Sequence, residues 1–235
     1  MLNQLVAELR EALGIQYKQD IQVASSALGQ TVLGTYLESR LGSGMGIDAN
    51  THTNVDTYIR LGDDCAAIPD GNGYLLLAAE GMWPLLVETE PWFAGWCAIL
   101  VNVSDIYAMG GRAIAVVDAI WTQSPDQSQP LWAGMMAASR AFNVPIVGGH
   151  TNGHSPYSAL SVAILGRANA LMTSFNAQPG DTLLLITNLR GKPHPKYPFW
   201  DAATDANPQQ LQEDLAILPR LAEAGLCDTG KDISM

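Results

Sequence analysis

The sequence predicts an α+β fold, a mixed sheet with helices on one face. Three observations predict it. Apolar runs of strand length, rich in Val, Ile and Leu, recur between residues 58 and 170. Two longer stretches, 90–109 and 130–142, carry apolar residues at helical spacing. The order is strand, strand, helix, strand, helix, strand, strand, which suits one sheet layered against helices.

The elements follow in order. Leu2, Leu5, Val6, Leu9 and Leu13 mark one face of an amphipathic helix over 2–13, and its acidic residues exclude a signal peptide. Residues 20–40 form a weaker helical stretch, and 41–57, "LGSGMGIDANTHTNVDT", read as a loop rich in Gly, Asn and Thr. "LGDDCAAIPDGNGYLLLAAEG" reads as strand, "DGNG" turn, strand. Helix 90–109 follows, with Thr89 as N-cap and Pro91 in the first turn. "AIAVVDAIW" is a strand, 130–142 a helix, and "VPIVGG" and "SALSVAILGRA" are strands. "FNAQPGDTLLLIT" marks a junction leading into a new apolar strand. Residues 190–208 read as an irregular loop, and "PQQLQEDLAILPRLAEAG" as a helix interrupted at Pro219. The expected units are 1–57 (helices and loop), 58–172 (the sheet domain) and 173–235, the start of an incomplete C-terminal domain.

Composition narrows the function. The 235 residues carry a net charge of −11 with 12 scattered basic residues, which argues against nucleic acid and anionic membranes as partners. No charge-free apolar run reaches the length of a membrane span. The 3 cysteines, Cys65, Cys97 and Cys227, lie far apart without a CxxC pair, which fits a reduced cytoplasmic protein.

Polar clusters close several apolar elements: Asp63-Asp64 in "LGDDCAAI", Glu80 in "LLLAAEG", Asn102 and Asp105 in "NVSDIYAMGG", and Gly148, Gly149, His150 and Thr151 in "GGHT". Each has a plain structural reading as a turn, a solvated strand end or a helix cap. A buried carboxylate, however, costs several kcal/mol unless it is paired or binds a cation. Asp105 sits among apolar residues one turn from Asn102, so that face of the helix meets either solvent or a site. Carboxylates gathered at one rim hold magnesium against phosphates, and magnesium keeps some of its waters. Other sites are excluded: there is no GxxxxGK[ST], no GxSxG and no HExxH, and "GSGMG" at 42–46 lacks the strand that a dinucleotide loop needs.

"GDDCAAI", a strand ending in an acid, "NVSDIYAMGG" and "GGHT", in this order, resemble the N-terminal domain of the aminoimidazole ribonucleotide synthetase superfamily. That group includes selenophosphate synthetase and thiamine-monophosphate kinase. The resemblance covers about residues 58–170 and extends to "KDIS" at 231–234. It implies an ATP site without a P-loop. Asp64 and Asp105 match metal-binding aspartates, with Asp63 and Asn102 beside them. Glu80 stands where the family usually has an aspartate. "GGHT" matches a nucleotide-contacting loop, and Asp232 matches a carboxylate of the C-terminal domain. "GSGMG" lacks the reactive Cys or selenocysteine followed by Lys that selenide chemistry uses. The resemblance further implies N-terminal domains pairing into a barrel across a dimer, and a C-terminal α/β domain that is truncated here. "AIAVVDAIW" and "SALSVAILG" read as strands unsafe as free edges, which also points to a homodimer. The expected function is magnesium-dependent phosphoryl transfer from ATP to a small-molecule acceptor. The alternative is a non-catalytic dimeric module that binds nucleotide or a partner. Of the metal ligands expected, Asp64, Glu80 and Asp105 should converge, joined by Asp232.

Overall fold

The computed structural model describes residues 61–233, together with Gln4, Ala7, Glu8 and Ala24, which are helical. The expectations for 1–57 otherwise lie outside the described residues.

The chain opens on a hairpin of β1 (Ala66–Asp70) and β2 (Gly73–Gly81), paired antiparallel from Ala66 opposite Leu77 to Asp70 opposite Gly73. The "DGNG" turn is therefore where the sequence places it. A short helix, α1 (Pro84–Thr89), precedes α2 (Pro91–Ala108), so Thr89 ends one helix and Glu90 takes the expected N-cap place of the next. Proline at the first position of each helix fits, because no intrahelical bond is needed there. The remaining elements are β3 (Arg112–Trp121), α3 (Pro125–Phe142), β4 (Ile146–Asn152) and β5 (Ala159–Ala168). Helix α3 begins five residues before the expected start at 130, with Pro130 inside it.

These strands form one five-stranded sheet in the order β1-β2-β5-β3-β4. All pairs are antiparallel except β3 and β4, which α3 joins as a parallel crossover. Thus β3 and β5 are interior strands, and the edges are β1 and β4. The expectation that β3 and β5 need protection as free edges is corrected: what they expose is a face. Leu76, Val116, Ile120, Leu160, Val162 and Ile164 turn inward against the helices and are buried. On the other face Leu77 lies opposite Leu165, with Val117 nearby on β3. These are 47%, 37% and 43% exposed, so one side of the sheet is apolar and open in the single chain.

Helix α2 packs on β2 and β5 and crosses α3 in close contact. The crossing is set by two glycines. A Cβ on Gly95 would lie 2.2 Å from the Leu131 carbonyl oxygen, and one on Gly134 1.9 Å from that of Trp92. Backbone meets backbone there, and no side-chain rotation relieves the clash.

After β5 the chain differs from expectation at one point. The apolar run at 183–187 pairs with no strand among the described residues, and Leu183, Leu184, Leu185 and Ile186 are exposed. The loop expected at 190–208 contains a two-stranded ribbon, β6 (Lys192–Pro193) and β7 (Trp200–Asp201). It lies on the α1–α2 corner, where the His194 ring stacks 4.6 Å from Phe93 and the Tyr197 and Thr89 hydroxyls are 2.6 Å apart. The last helix is broken, as Pro219 demands, into α4 (Pro208–Leu215) and α5 (Ile217–Glu223). The break falls before the proline because its ring would clash with the carbonyl four residues back. Arg112 clamps α5 to β3 through both carboxylate oxygens of Glu223. Among the described residues no helix is long and apolar enough to cross a membrane.

Gly134→Ala is expected to destabilise the fold by about 2–3 kcal/mol or more, lowering Tm by roughly 5–10 °C. Gly81→Ala, with open space around its Cβ, is the control and should leave Tm nearly unchanged. Equal melting of the two variants in a thermal scan would contradict the backbone crossing.

Candidate functional site

The site forms where three segments meet at the C-terminal end of α2. The first precedes β1. There the Cys65 N–H donates to Met109 Sδ at 3.0 Å, which ties residues 63–65 to the end of the helix. The second follows β5. The Met172 N–H donates to the Met109 carbonyl at 3.1 Å, and Asp63 accepts from the Ser174 N–H and Ser174 Oγ at 2.9 Å each and from the Thr173 hydroxyl. The third is the tail after α5. The Thr173 N–H donates to the Asp228 carbonyl at 3.0 Å. Gly230 then passes so close to α2 that a Cβ there would lie 2.6 Å from the Ala108 carbonyl oxygen. Only glycine lets the tail run on to Asp232, whose N–H donates to Asp64 Oδ2 at 3.0 Å.

The result is a convergence of Asp64, Asp105 and Asp232, with one ligand oxygen from each within 4.8 Å of the others. Asp105 is 6% exposed, and among the described residues its buried Oδ2 has no hydrogen-bond partner. Burial, then the negative charges of Asp232, Glu80 and Asp64, push its carboxyl up to about 8. Asp64 is pushed up to about 6, because burial outweighs its bonds to Lys231 and to the Asp232 N–H. For Lys231, burial works against the charge, but hydrogen bonds to Asp232 and Asp64 prevail and raise its pKa. Cys65, next to Asp64, is held far above the usual thiol range by burial and by Asp105, so it offers no thiolate.

The sequence-predicted residues divide accordingly. Asp64, Asp105 and Asp232 come together. Glu80 alternates with Leu76 and Ala78 on the helix-covered side of β2, and its charge reaches Asp105, but it lies outside the set of three. Asp63 is a docking point whose carboxylate gathers the bonds from 173–174. Asn102 is fully enclosed; its Nδ2 donates to the Ala98 carbonyl at 2.8 Å, and its buried Oδ1 has no hydrogen-bond partner among the described residues. Gly148, Gly149, His150 and Thr151 lie exposed on β4, the sheet edge opposite β1. Four strand spacings separate the two edges, roughly 19 Å.

Two residues were not singled out from sequence. Lys231 precedes Asp232 in "KDIS", and its Nζ binds both Asp64 and Asp232. Asp118 is a carboxylate inside the β-branched run "AVVDAIW", the same kind of signal that marked Glu80. It lies over Gly149, where an added Cβ would sit 2.5 Å from Asp118 Oδ1, and burial raises its pKa.

The donor set fits a hard divalent cation: oxygen ligands only, one of them buried and unpartnered, and enough negative charge to need compensation. The pKa shifts make this testable. In the folded chain Asp105 and Asp64 are pushed up to about 8 and about 6, so they hold protons that the unfolded chain, at the ordinary carboxylate value of 3.8, has released. Folding therefore takes up protons between about pH 4 and 8, and stability falls as pH rises through that window. In chelator, Tm should drop from pH 5 to pH 8, and Asp105→Asn should flatten the drop. Identical pH profiles for the wild type and Asp105→Asn would contradict the burial of this carboxylate.

The family described as AIR synthase related protein, N-terminal domain, matches residues 62–168. An uncharacterised protein of Synechocystis sp. is 60% identical over 236 residues, covering 100% of this chain and 67% of the relative. Thiamine-monophosphate kinase of Pyrococcus abyssi is 30% identical over 159 residues, 65% of this chain and 50% of the relative. Selenide, water dikinase of Aeromonas hydrophila subsp. hydrophila is 29% identical over 132 residues, 54% of this chain and 38% of the relative. The chain thus spans half or less of the length of these two kinases. The matched span runs from the turn before β1 to the end of β5, and so contains Asp63, Asp64, Asp105 and "GGHT". The chain belongs to the AIR synthase-related family.

Proposed function

We propose that the protein transfers a phosphoryl group from ATP to a small-molecule acceptor, with magnesium as the required ion. The observation that carries this reading is the buried, unpartnered Asp105 Oδ2 beside Asp64 and Asp232. Two relatives are named as kinases, which supports the same class of reaction.

In this reading Asp64, Asp105 and Asp232 hold the ion. The ion neutralises charge on the phosphate oxygens, which is most of what phosphoryl transfer asks of a protein. Glu80 adds negative charge at the rim. Asp63 positions Asp64 by docking residues 173–174, and Asn102 fixes the helix turn below Asp105. The exposed backbone of Gly148, Gly149, His150 and Thr151 offers N–H groups to nucleotide. Residues 173–235 open a second domain, a reading that the uncovered side chains at 183–186 support. The open sheet face, with Leu77, Val117 and Leu165, is covered by a second copy, giving a barrel across the dimer. The free thiols of Cys65, Cys97 and Cys227 suit the cytoplasm.

One observation favours the second reading, a non-catalytic dimeric module for nucleotide or a partner: "GGHT" lies on edge strand β4, whereas Asp64 precedes β1, the opposite edge. Turnover separates the two readings. Full-length protein with MgATP and a panel of small phosphate acceptors should consume ATP, and Asp105→Asn should slow it at least ~100-fold while keeping the fold. Nucleotide binding without turnover, on any acceptor, would favour the module.

The dimer is tested separately. Light scattering should give twice the 25.1 kDa chain mass, and Leu77→Lys with Leu165→Lys should shift it to monomer. A stable wild-type monomer at micromolar concentration would refute the barrel.

A further inference from the structure

We infer that Lys231 is a tethered cation that competes with the divalent ion for Asp64 and Asp232, and so sets the affinity of the site. The inference rests on the metal reading given above. Both oxygens of Asp64 already accept hydrogen bonds. Asp64 Oδ2 accepts the Asp232 N–H at 3.0 Å, and Oδ1 accepts the Lys231 ammonium, which also lies 2.5 Å from Asp232 Oδ1. The Asp64 side chain is 2% exposed and that of Asp232 10% exposed, whereas that of Lys231 is 49% exposed.

The two carboxylates are thus enclosed, and the cation that bridges them reaches in from the surface on a half-exposed stem. A divalent ion that joins Asp105 to Asp64 and Asp232 needs oxygens the ammonium already holds. Two cations cannot share them at contact distance, since like charges a few Å apart in a half-buried site repel strongly. The ammonium is the one able to leave, because its side chain is half exposed while both carboxylates are enclosed and Asp64 is held by a backbone N–H. Asp105 shares no hydrogen bond with the ammonium: among the described residues its Oδ2 has no partner. Lys231 is therefore a positioning residue. It keeps the tail docked and the carboxylates together before the ion arrives, and it weakens the ion's binding.

The test uses full-length protein, Lys231→Met and Lys231→Arg, with Mn2+ as the probe. Free Mn2+ is read by electron paramagnetic resonance, and thermal stability is read in chelator. Lys231→Met keeps most of the stem and removes the charge. It should bind Mn2+ roughly tenfold or more tightly than wild type and melt lower in chelator, while Lys231→Arg stays near wild type. A second measurement needs no variant: acetylation of Lys231 in the wild type, followed by mass spectrometry, should speed up when Mn2+ is added. Unchanged or weaker Mn2+ binding by Lys231→Met, or Mn2+ protecting Lys231 from acetylation, overturns the competition and leaves the metal site standing. If neither wild type nor Lys231→Met binds Mn2+, the metal reading itself fails and the competition falls with it.

Discussion

The site depends on one constraint, a carboxylate placed inside an apolar helix end. Asp105 lies one turn beyond Asn102 on α2, a helix that buries Ala94, Ala98, Ile99, Val103 and Ile106 around it. Such a group cannot be stabilised by water. It either keeps a proton, which burial favours by pushing its carboxyl up to about 8, or it meets a cation. Its acidic neighbours add to the cost, because Asp232, Glu80 and Asp64 all bring negative charge, which the Lys231 ammonium only partly offsets. A fold that only needed stability would place an apolar residue here. Retaining the acid makes sense where the energy is recovered by binding.

Much of the surrounding structure serves to hold that arrangement. The α2–α3 crossing at Gly95 and Gly134 fixes the helix against the sheet, and the sheet fixes β1, from whose start Asp63 and Asp64 project. The two aspartates then divide the work. Asp63 spends its carboxylate on residues 173 and 174, while Asp64 faces the tail. The tail reaches it only because Gly230 slips past the Ala108 carbonyl. Asp64, Asp105 and Asp232 are far apart in sequence, and each is set by a different element, so the cluster is a property of the tertiary structure.

The sheet and its helices were largely legible in the sequence, because strands of period two and helices of period 3.6 leave marks that neighbours do not change. The hairpin at "DGNG", α2, β3, β4 and β5 all lie where those patterns put them. The misses have physical causes. Helix α1 is too short for its periodicity to show beside α2, and Pro130 hid the first turn of α3. The run at 183–187 is apolar and reads as a strand, but a strand also requires a partner, and among the described residues none pairs with it. Strand order cannot be read from β-branched runs, so β3 and β5 were taken for edges although they are central. Within the site, Asp64 and Asp105 stood out as acids at the ends of apolar elements, and Asp232 through the resemblance at "KDIS". Glu80 carried the same mark as Asp64, yet the side on which the tail docks decides which acids meet. Lys231 left no mark, since a lysine beside an aspartate on a surface tail is ordinary until the tail is placed.

The central claim is that Asp64, Asp105 and Asp232 together bind one divalent ion. Anomalous diffraction from crystals of the full-length protein grown with Mn2+ tests it most directly. The account predicts an anomalous peak within coordination distance of Asp105 Oδ2 and of oxygens from Asp64 and Asp232. A peak elsewhere, with Asp105 still buried and unligated, would contradict it.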